Sequence, residues 1–343
     1  MMPGLKVLAP GFHTTVQDLG RIGYQDIGVP VSGALDEVSL RIANGLVGNS
    51  PATPGLEILL SGPSLEVTAD SVRIAIVGAG ASLRVGRRDP FVVPAGQSAT
   101  LPGDEVFQVV AGRHSACCYL AVEGGIAVPL VLGSASTYTR AAIGGLEGRA
   151  LRRKDVVPLA ITRASLGTEL RAPALPLAVG EQSIRVILGP QQEYFTEEAV
   201  TALLNSEFRV SKDADRMGMR LDGPLLQHRA GWDIVSDAIA TGSIQVPGSG
   251  QPIILLADHQ TTGGYPKIAT VISADLPVVG RRRSGDAIRF VAVSIETAEA
   301  AYCEQERRLT ELVAGLKQIP QIGLDLSSLY GNNLISGVTT GVE

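Results

Sequence analysis

The apolar residues of this chain come in runs too short for helices. Val72-Arg73-Ile74-Ala75-Ile76-Val77, Glu105-Val106-Phe107-Gln108-Val109-Val110 and Cys118-Tyr119-Leu120-Ala121-Val122 are of strand length and rich in β-branched or aliphatic side chains. Runs of that kind, closed off by Gly or Pro, suit strands. The 40 glycines and 20 prolines supply the turns that many short strands require. The pattern predicts a mainly β protein. With 45% hydrophobic residues and only 18% charged ones, 343 residues can bury two cores or one large one.

Charge and composition exclude several functions. A net charge of −5 and 4% aromatic residues with a single Trp232 argue against a nucleic-acid partner. No apolar run reaches the ~18 residues of a membrane-spanning helix. Pro10-Gly11 interrupts the N-terminus before a signal-peptide core can form, so the expected location is cytoplasmic. Cys117 and Cys118 are adjacent and Cys303 is distant, which makes no disulfide framework. His13, His114, His228 and His259 are scattered, and no metal site is expected.

Three helices interrupt the strand pattern. Leu35 to Val47 sets Leu35, Val38, Ile42, Leu46 and Val47 on one face against Asp36, Glu37 and Arg41, with Gly48 as its stop. Asn44 and Asn49 at its end can satisfy carbonyls. Thr196 caps a short helix over Glu197–Leu204, and Ser294 caps a long one bearing Leu309, Leu312, Val313 and Leu316. Gly78-Ala79-Gly80-Ala81-Ser82-Leu83 follows a strand but has Leu83 where a dinucleotide fingerprint needs its third glycine, and reads as a turn. Between Thr162 and Gln182 the pattern dissolves into a linker. Units are therefore expected over 1–165 and 180–293, with a C-terminal helix and tail over 294–343. Asp18-x-x-Arg21-x-Gly23 and Asp213-x-x-Arg216-x-Gly218, each followed by a Gly/Pro turn, suggest that the two units share an ancestry.

Polar chemistry concentrates in two places. Between the apolar runs Pro252–Ala257 and Ile268–Ile272 lie Asp258, His259, Gln260, Thr261, Thr262, Gly263, Gly264, Tyr265 and Lys267. Gly263-Gly264 can take positive φ and turn successive N–H groups toward an anion. Lys267 can add charge, and Asp258 can act as a base or orient a neighbour. In the first half, Asp18 and Arg21 can form a turn ion pair, or Arg21 and Tyr24 can clamp a carboxylate. Ser32-Gly33 can cap the following helix or bind an anion at its N-terminus. Arg152-Arg153-Lys154 and Arg281-Arg282-Arg283 read as solvated turn charges.

Taken together, Thr14–Arg21, Gly28–Asp36, Ala43-Asn44 with Gly48-Asn49, Gly124-Gly125-Ile126, Gly144–Leu151, Asp215–Gly218 and Gln260–Lys267 resemble the biotin-dependent carboxyltransferase-like family, also called allophanate hydrolase subunit 2 or KipA-type. That family includes the C subunits of 5-oxoprolinases and the carboxyltransferase domain of urea carboxylase. The motifs span most of residues 5 to 293. This chain has His259 and Ala135 where relatives more often carry arginine. The resemblance implies two cyclophilin-like β-barrel domains with a groove between them. It also implies a protein that works with two further subunits, one KipI-type and one metal-dependent and hydrolase-like. Together they would open 5-oxoproline to glutamate with ATP as co-substrate.

On that footing Asp18, Asp258 and Lys267 are the expected catalytic residues. Arg21, Tyr24, Ser32, Gly33, Arg216, Gln260, Thr261, Thr262, Gly263, Gly264 and Tyr265 are the expected substrate contacts. Carboxyl transfer from carboxybiotin to a urea-like amide is the alternative. The chain offers no Met-Lys-Met site for biotin, its internal methionines Met217 and Met219 flanking Gly218. A third reading is a regulator that binds a KipI-type partner.

Overall fold

The computed structural model describes residues 3–177, 183–229 and 231–320. The protein is mainly β with few helices. Two facing sheets are drawn from residues 4–171 and the late strand Lys317–Gln318. The chain passes from one to the other at Gly4–Ala9 to His13–Gln17, at Gly55–Leu59 to Ser64–Val67 and at Ser71–Val77 to Ser82–Val85. This alternation puts one apolar face of each sheet against the other, around Leu5, Leu56, Ile58, Leu65, Ile74, Phe107 and Leu120.

The strands Ser71–Val77 and Cys117–Val122 are buried on both faces, which is why they read as unbroken apolar runs. Ile74, Ile76, Cys118 and Leu120 point between the sheets, and Ala75, Val77, Cys117, Tyr119 and Ala121 point outward under a helix. That helix, α1 (Glu37–Leu46), has Asp36 as its N-cap, whose Oδ1 accepts from Ser39 N at 3.1 Å. Gly48 follows at φ +75°, the left-handed stop expected of it. Asn44 and Asn49 donate to the carbonyls of Thr53 and Val122 at 2.8 and 2.7 Å.

The third sheet has eight strands, from Ala287–Ile288 through Phe208–Ala214, Gly218–Asp222, Ile253–Leu255, Ser243–Gln245, Lys267–Val271 and Ile184–Leu188 to Phe290–Ala292. Its two edge strands are separated in sequence by Arg289 alone, so the sheet nearly closes on itself. Helix α2 (Glu197–Asn205), capped by Thr196, packs Ala199 and Leu203 into its core, and the short α3 (Leu276–Gly280) adds Val279.

Three expectations change. Residues 162–177 are no free tether: Leu170–Arg171 joins the seven-stranded sheet, and Ala164 and Leu177 are buried. Residues 178–182 lie outside the described residues, as does the tail beyond 320. The C-terminal helix α4 (Ile295–Ala314) does not stand apart either, since it packs Leu309 into the cluster under α1. Arg281 and Arg282 are not solvated turn charges but 3% and 5% exposed, with Arg281 beside the Asp36 carboxylate at 3.3 Å.

Candidate functional site

Where the first unit meets the second, charged residues are buried together. Arg216 holds Asp258 through Nε–Oδ2 at 2.8 Å and Nη2–Oδ1 at 3.0 Å, donates to the Gly33 carbonyl at 2.7 Å, and pairs with Glu57. Glu57 also accepts from Tyr119 Oη at 2.6 Å and from Leu35 N at 2.9 Å. The Arg216, Asp258, Glu57 and Tyr119 side chains are all nearly or fully buried. Burial works against the Arg216 charge, but the Glu57 and Asp258 carboxylates more than offset it, and its pKa is raised. The network ties the strand Gly55–Leu59 to the loops that carry Gly33 and Asp258.

Asp18 sits at the head of a neighbouring loop and accepts four hydrogen bonds. Ser134 Oγ, Ser136 Oγ, Ala135 N and Gly20 N donate to it at 2.6, 2.5, 2.6 and 2.8 Å. The carboxylate fastens the 134–136 loop to the 18–21 turn. Both Asp258 oxygens accept from Arg216. Arg21 differs. It is 1% exposed and donates to the Ser136 carbonyl, yet its Nε and Nη1 have no hydrogen-bond partner. Burial lowers its pKa against the attraction of Asp18 and Asp258. Tyr24 closes the same turn, its carbonyl accepting from Val29 N at 3.1 Å.

Ser32 and Gly33 both adopt left-handed backbone, at φ +56° and +85°. Ser32 N donates to the Ala257 carbonyl at 3.0 Å, joining the two polar stretches found in the sequence. Neither residue caps α1, and the anion place at that N-terminus is filled by Asp36 itself. A side chain at Gly33 would meet Gly20 N and Leu19 C at 2.9 Å, so this turn demands glycine.

The other end of the 257–267 loop forms a separate group. Lys267 is 2% exposed, with Nζ 2.7 Å from Asp237 Oδ2 and 3.0 Å from the Ala238 carbonyl. It pairs with a carboxylate of its own chain. Gly263 and Gly264 are absent from the left-handed residues. Thr262–Gly263 instead pairs as a strand with Asp237–Ala238, so no anion nest forms. A Cβ at Gly263 would come within 2.8 Å of Ile239 Cδ1 and 2.9 Å of Gln245 Nε2, and close packing is what requires glycine there. Gln260 approaches Gln245 at 3.4 Å, the Thr261 carbonyl accepts from Ile239 N, and Tyr265 lies 39% exposed beside Trp232. His259, fully buried, is where the two groups meet: Nδ1 is 2.5 Å from the Gln260 carbonyl and Nε2 is 3.1 Å from Thr241 Oγ.

A cavity of about 290 Å³ opens at the first group. Val31, Ser32 and Glu37 line it from one side, Thr241 and Ala257 from the other, and Tyr302 of α4 covers it. Thr241, Glu37 and Tyr302 were not legible as site residues, because each comes from a segment with no motif. Burial raises the pKa of both Glu37 and Tyr302. Among the described residues no group of His, Cys, Asp and Glu is arranged to hold a metal ion, and no helix is long and apolar enough to cross a membrane.

Two β units joined by a buried ion network, with a small cavity between their loops, define the class of protein. The chain belongs to the family of the carboxyltransferase domain, subdomain A and B, which matches residues 27–292. Among its relatives, it is 37% identical to the 5-oxoprolinase C subunit of Escherichia coli (strain K12), covering 90% of this chain and 97% of that protein. It is 36% identical to the 5-oxoprolinase C subunit of Haemophilus influenzae, over 87% of this chain and 96% of that one. The crystal structure of the K. lactis urea amidolyase is similar with a TM-score of 0.81 and 30% identity, over 91% of this chain and 20% of that one.

Proposed function

We propose that this chain is the C subunit of an ATP-dependent 5-oxoprolinase. It acts in the cytoplasm with two further subunits, one KipI-type and one hydrolase-like, to open 5-oxo-L-proline to L-glutamate. The observation that carries this reading is its similarity to a 5-oxoprolinase subunit over 97% of that protein's length. The site is compatible with it. The cavity is near the ~300 Å³ lower end of ligand pockets, the size a single small lactam needs. Beside the cavity, in the 18–21 turn, Arg21 keeps Nε and Nη1 without an acceptor, and a charged donor of that kind suits a carboxylate oxygen. A lactam carbonyl is a poor electrophile, so hydroxyl donors facing its oxygen stabilise the charge that builds there.

ATP enters as a co-substrate of the assembly. The cavity does not fit a triphosphate, since Glu37 is the one charged side chain among the described residues that line it, and no step through ATP is assigned to this chain. Biotin and metal are likewise left to other subunits. Similarity to a urea amidolyase supports carboxyl transfer to a urea-like amide as the second reading. The test is ATP turnover by the co-purified assembly with 5-oxoproline and, separately, with urea and a biotinylated carrier. Turnover dependent on 5-oxoproline supports the first reading; turnover confined to urea and the carrier replaces it with the second.

A further inference from the structure

The cavity at the junction of the two units contains one hydroxyl without a partner and one whose proton is already committed. Ser32 is 5% exposed, and its buried Oγ has no hydrogen-bond partner. A buried hydroxyl without a protein partner is a donor free to meet a bound molecule. Across the cavity, Thr241 Oγ lies 3.1 Å from His259 Nε2. His259 Nδ1 lies 2.5 Å from the Gln260 carbonyl, which can only accept. Nδ1 therefore carries the ring proton, Nε2 presents its lone pair, and the Thr241 hydroxyl donates to it. A hydroxyl backed by a base, with the base oriented by a third group, is the arrangement that activates an oxygen.

We propose that these groups read the edge of a small cyclic or urea-type amide. Ser32 Oγ donates to its carbonyl oxygen, Thr241 Oγ accepts from its N–H, and His259 Nε2 receives a proton when that N–H is removed. In the transfer the amide N–H bond breaks and its proton joins Thr241 Oγ, as the Thr241 proton moves to Nε2. The electron pair left on nitrogen spreads to the carbonyl oxygen, which faces the Ser32 hydroxyl. The amide anion is then a nucleophile toward a phosphoryl or carboxyl donor. Burial, above all, lowers the pKa of His259, against the Gln260 hydrogen bond and the Asp258 charge that raise it. Other ionisable groups at or beside the cavity are Arg216, which is bound to Asp258, Arg21, which also feels the Asp258 charge, Glu37 on α1 and Tyr302 on α4.

The inference rests on the proposed function only for the identity of its natural substrate, and the neutral lactam 2-pyrrolidinone tests it directly. In the full chain labelled with ¹⁵N-histidine, we expect His259 to be protonated at Nδ1 alone and its Nε2 resonance to move on adding 2-pyrrolidinone. Ser32→Ala should bind the probe about tenfold more weakly, and Thr241→Val should abolish the Nε2 response. In the assembled complex, Thr241→Val should cut 5-oxoproline turnover by at least ~100-fold. His259→Gln should remove the acid limb of its pH profile. A proton on Nε2 of the free protein, or an unchanged response in Thr241→Val, overturns the proposal. A wild-type complex silent on 5-oxoproline whose chain still answers 2-pyrrolidinone as stated removes that substrate and leaves the amide site standing.

Discussion

At the scale of single residues, the same side chain chemistry serves opposite ends depending on how many partners surround it. Four donors reach Asp18, whereas Arg21, three residues on, keeps two nitrogens, Nε and Nη1, without a partner. Asp18→Asn should therefore act on stability, because an amide turned toward Ala135 N or the serine hydroxyls leaves a buried donor facing a donor, at a cost of about 1–3 kcal/mol. A lowered Tm with near-normal turnover per folded molecule is the expected result, and a collapse of turnover at unchanged Tm would return Asp18 to the chemistry. Arg21→Met should do the reverse, raising KM for 5-oxoproline about 10–100-fold. Kinetics of the reconstituted assembly check it. The Asp-x-x-Arg-x-Gly repeat is half real in structure. Both arginines are buried, but Asp213 is exposed, and in the second copy it is Asp215 that accepts from Met217 N and Gly218 N.

At the scale of elements, α4 is held by a contact that no local rule predicts. Its apolar stripe identified it as a helix that must pack somewhere, and Leu309 finds the outer face of the seven-stranded sheet beside α1. Arg41 of α1 grips Glu306 of α4 in a fork at 2.6 and 2.8 Å. The hydrogen bond from Arg41, above all, holds the Glu306 pKa below its ordinary value. A depressed carboxylate contributes stability that is present above its unfolded pKa, near ~4.3, and lost as pH falls through the lower folded value. Glu306→Gln should thus cost only about 1 kcal/mol at neutral pH, the pair being partly exposed and screened. The difference from wild type should shrink below about pH 4. Protease susceptibility of α4 as a function of pH reads this, and a gap that widens in acid refutes the assignment. Leu309→Ala removes apolar packing instead, and should cost about 2–4 kcal/mol at every pH.

At the scale of the molecule, the Glu57–Arg216–Asp258 network joins a strand of the first unit to two loops of the second. Buried ion pairs contribute little net stability, but breaking one strands the charges that remain. Arg216→Met leaves Glu57 and Asp258 uncompensated, and should destabilise the protein by about 3–5 kcal/mol. It should also weaken the coupling between the units. Calorimetry should show the single unfolding transition separating into two; one sharp transition at the wild-type temperature would show that the network is not what couples them.

The sequence on its own determined that the chain is mainly β, that a helix lies within 35–47, and that Thr196 and Ser294 cap two others. It also marked the two polar stretches that belong together. Those conclusions rest on local physics: strand-length apolar runs, side-chain caps and glycine stops act within a few residues of themselves. Whether a carboxylate is a base or a fastening, whether Gly263 bends a nest or fits a crowded ladder, and whether Arg281 meets water or Asp36 depend on atoms brought from far along the chain. Lys267 and Asp237 are 30 residues apart, Arg216 and Glu57 are 159 apart, and no spacing rule connects them. The Thr241–His259 pair belongs to the same kind: His259 lies in a polar stretch but Thr241 does not stand out in sequence, and only the closing of the eight-stranded sheet beside the Ser32 turn gives them a cavity to serve.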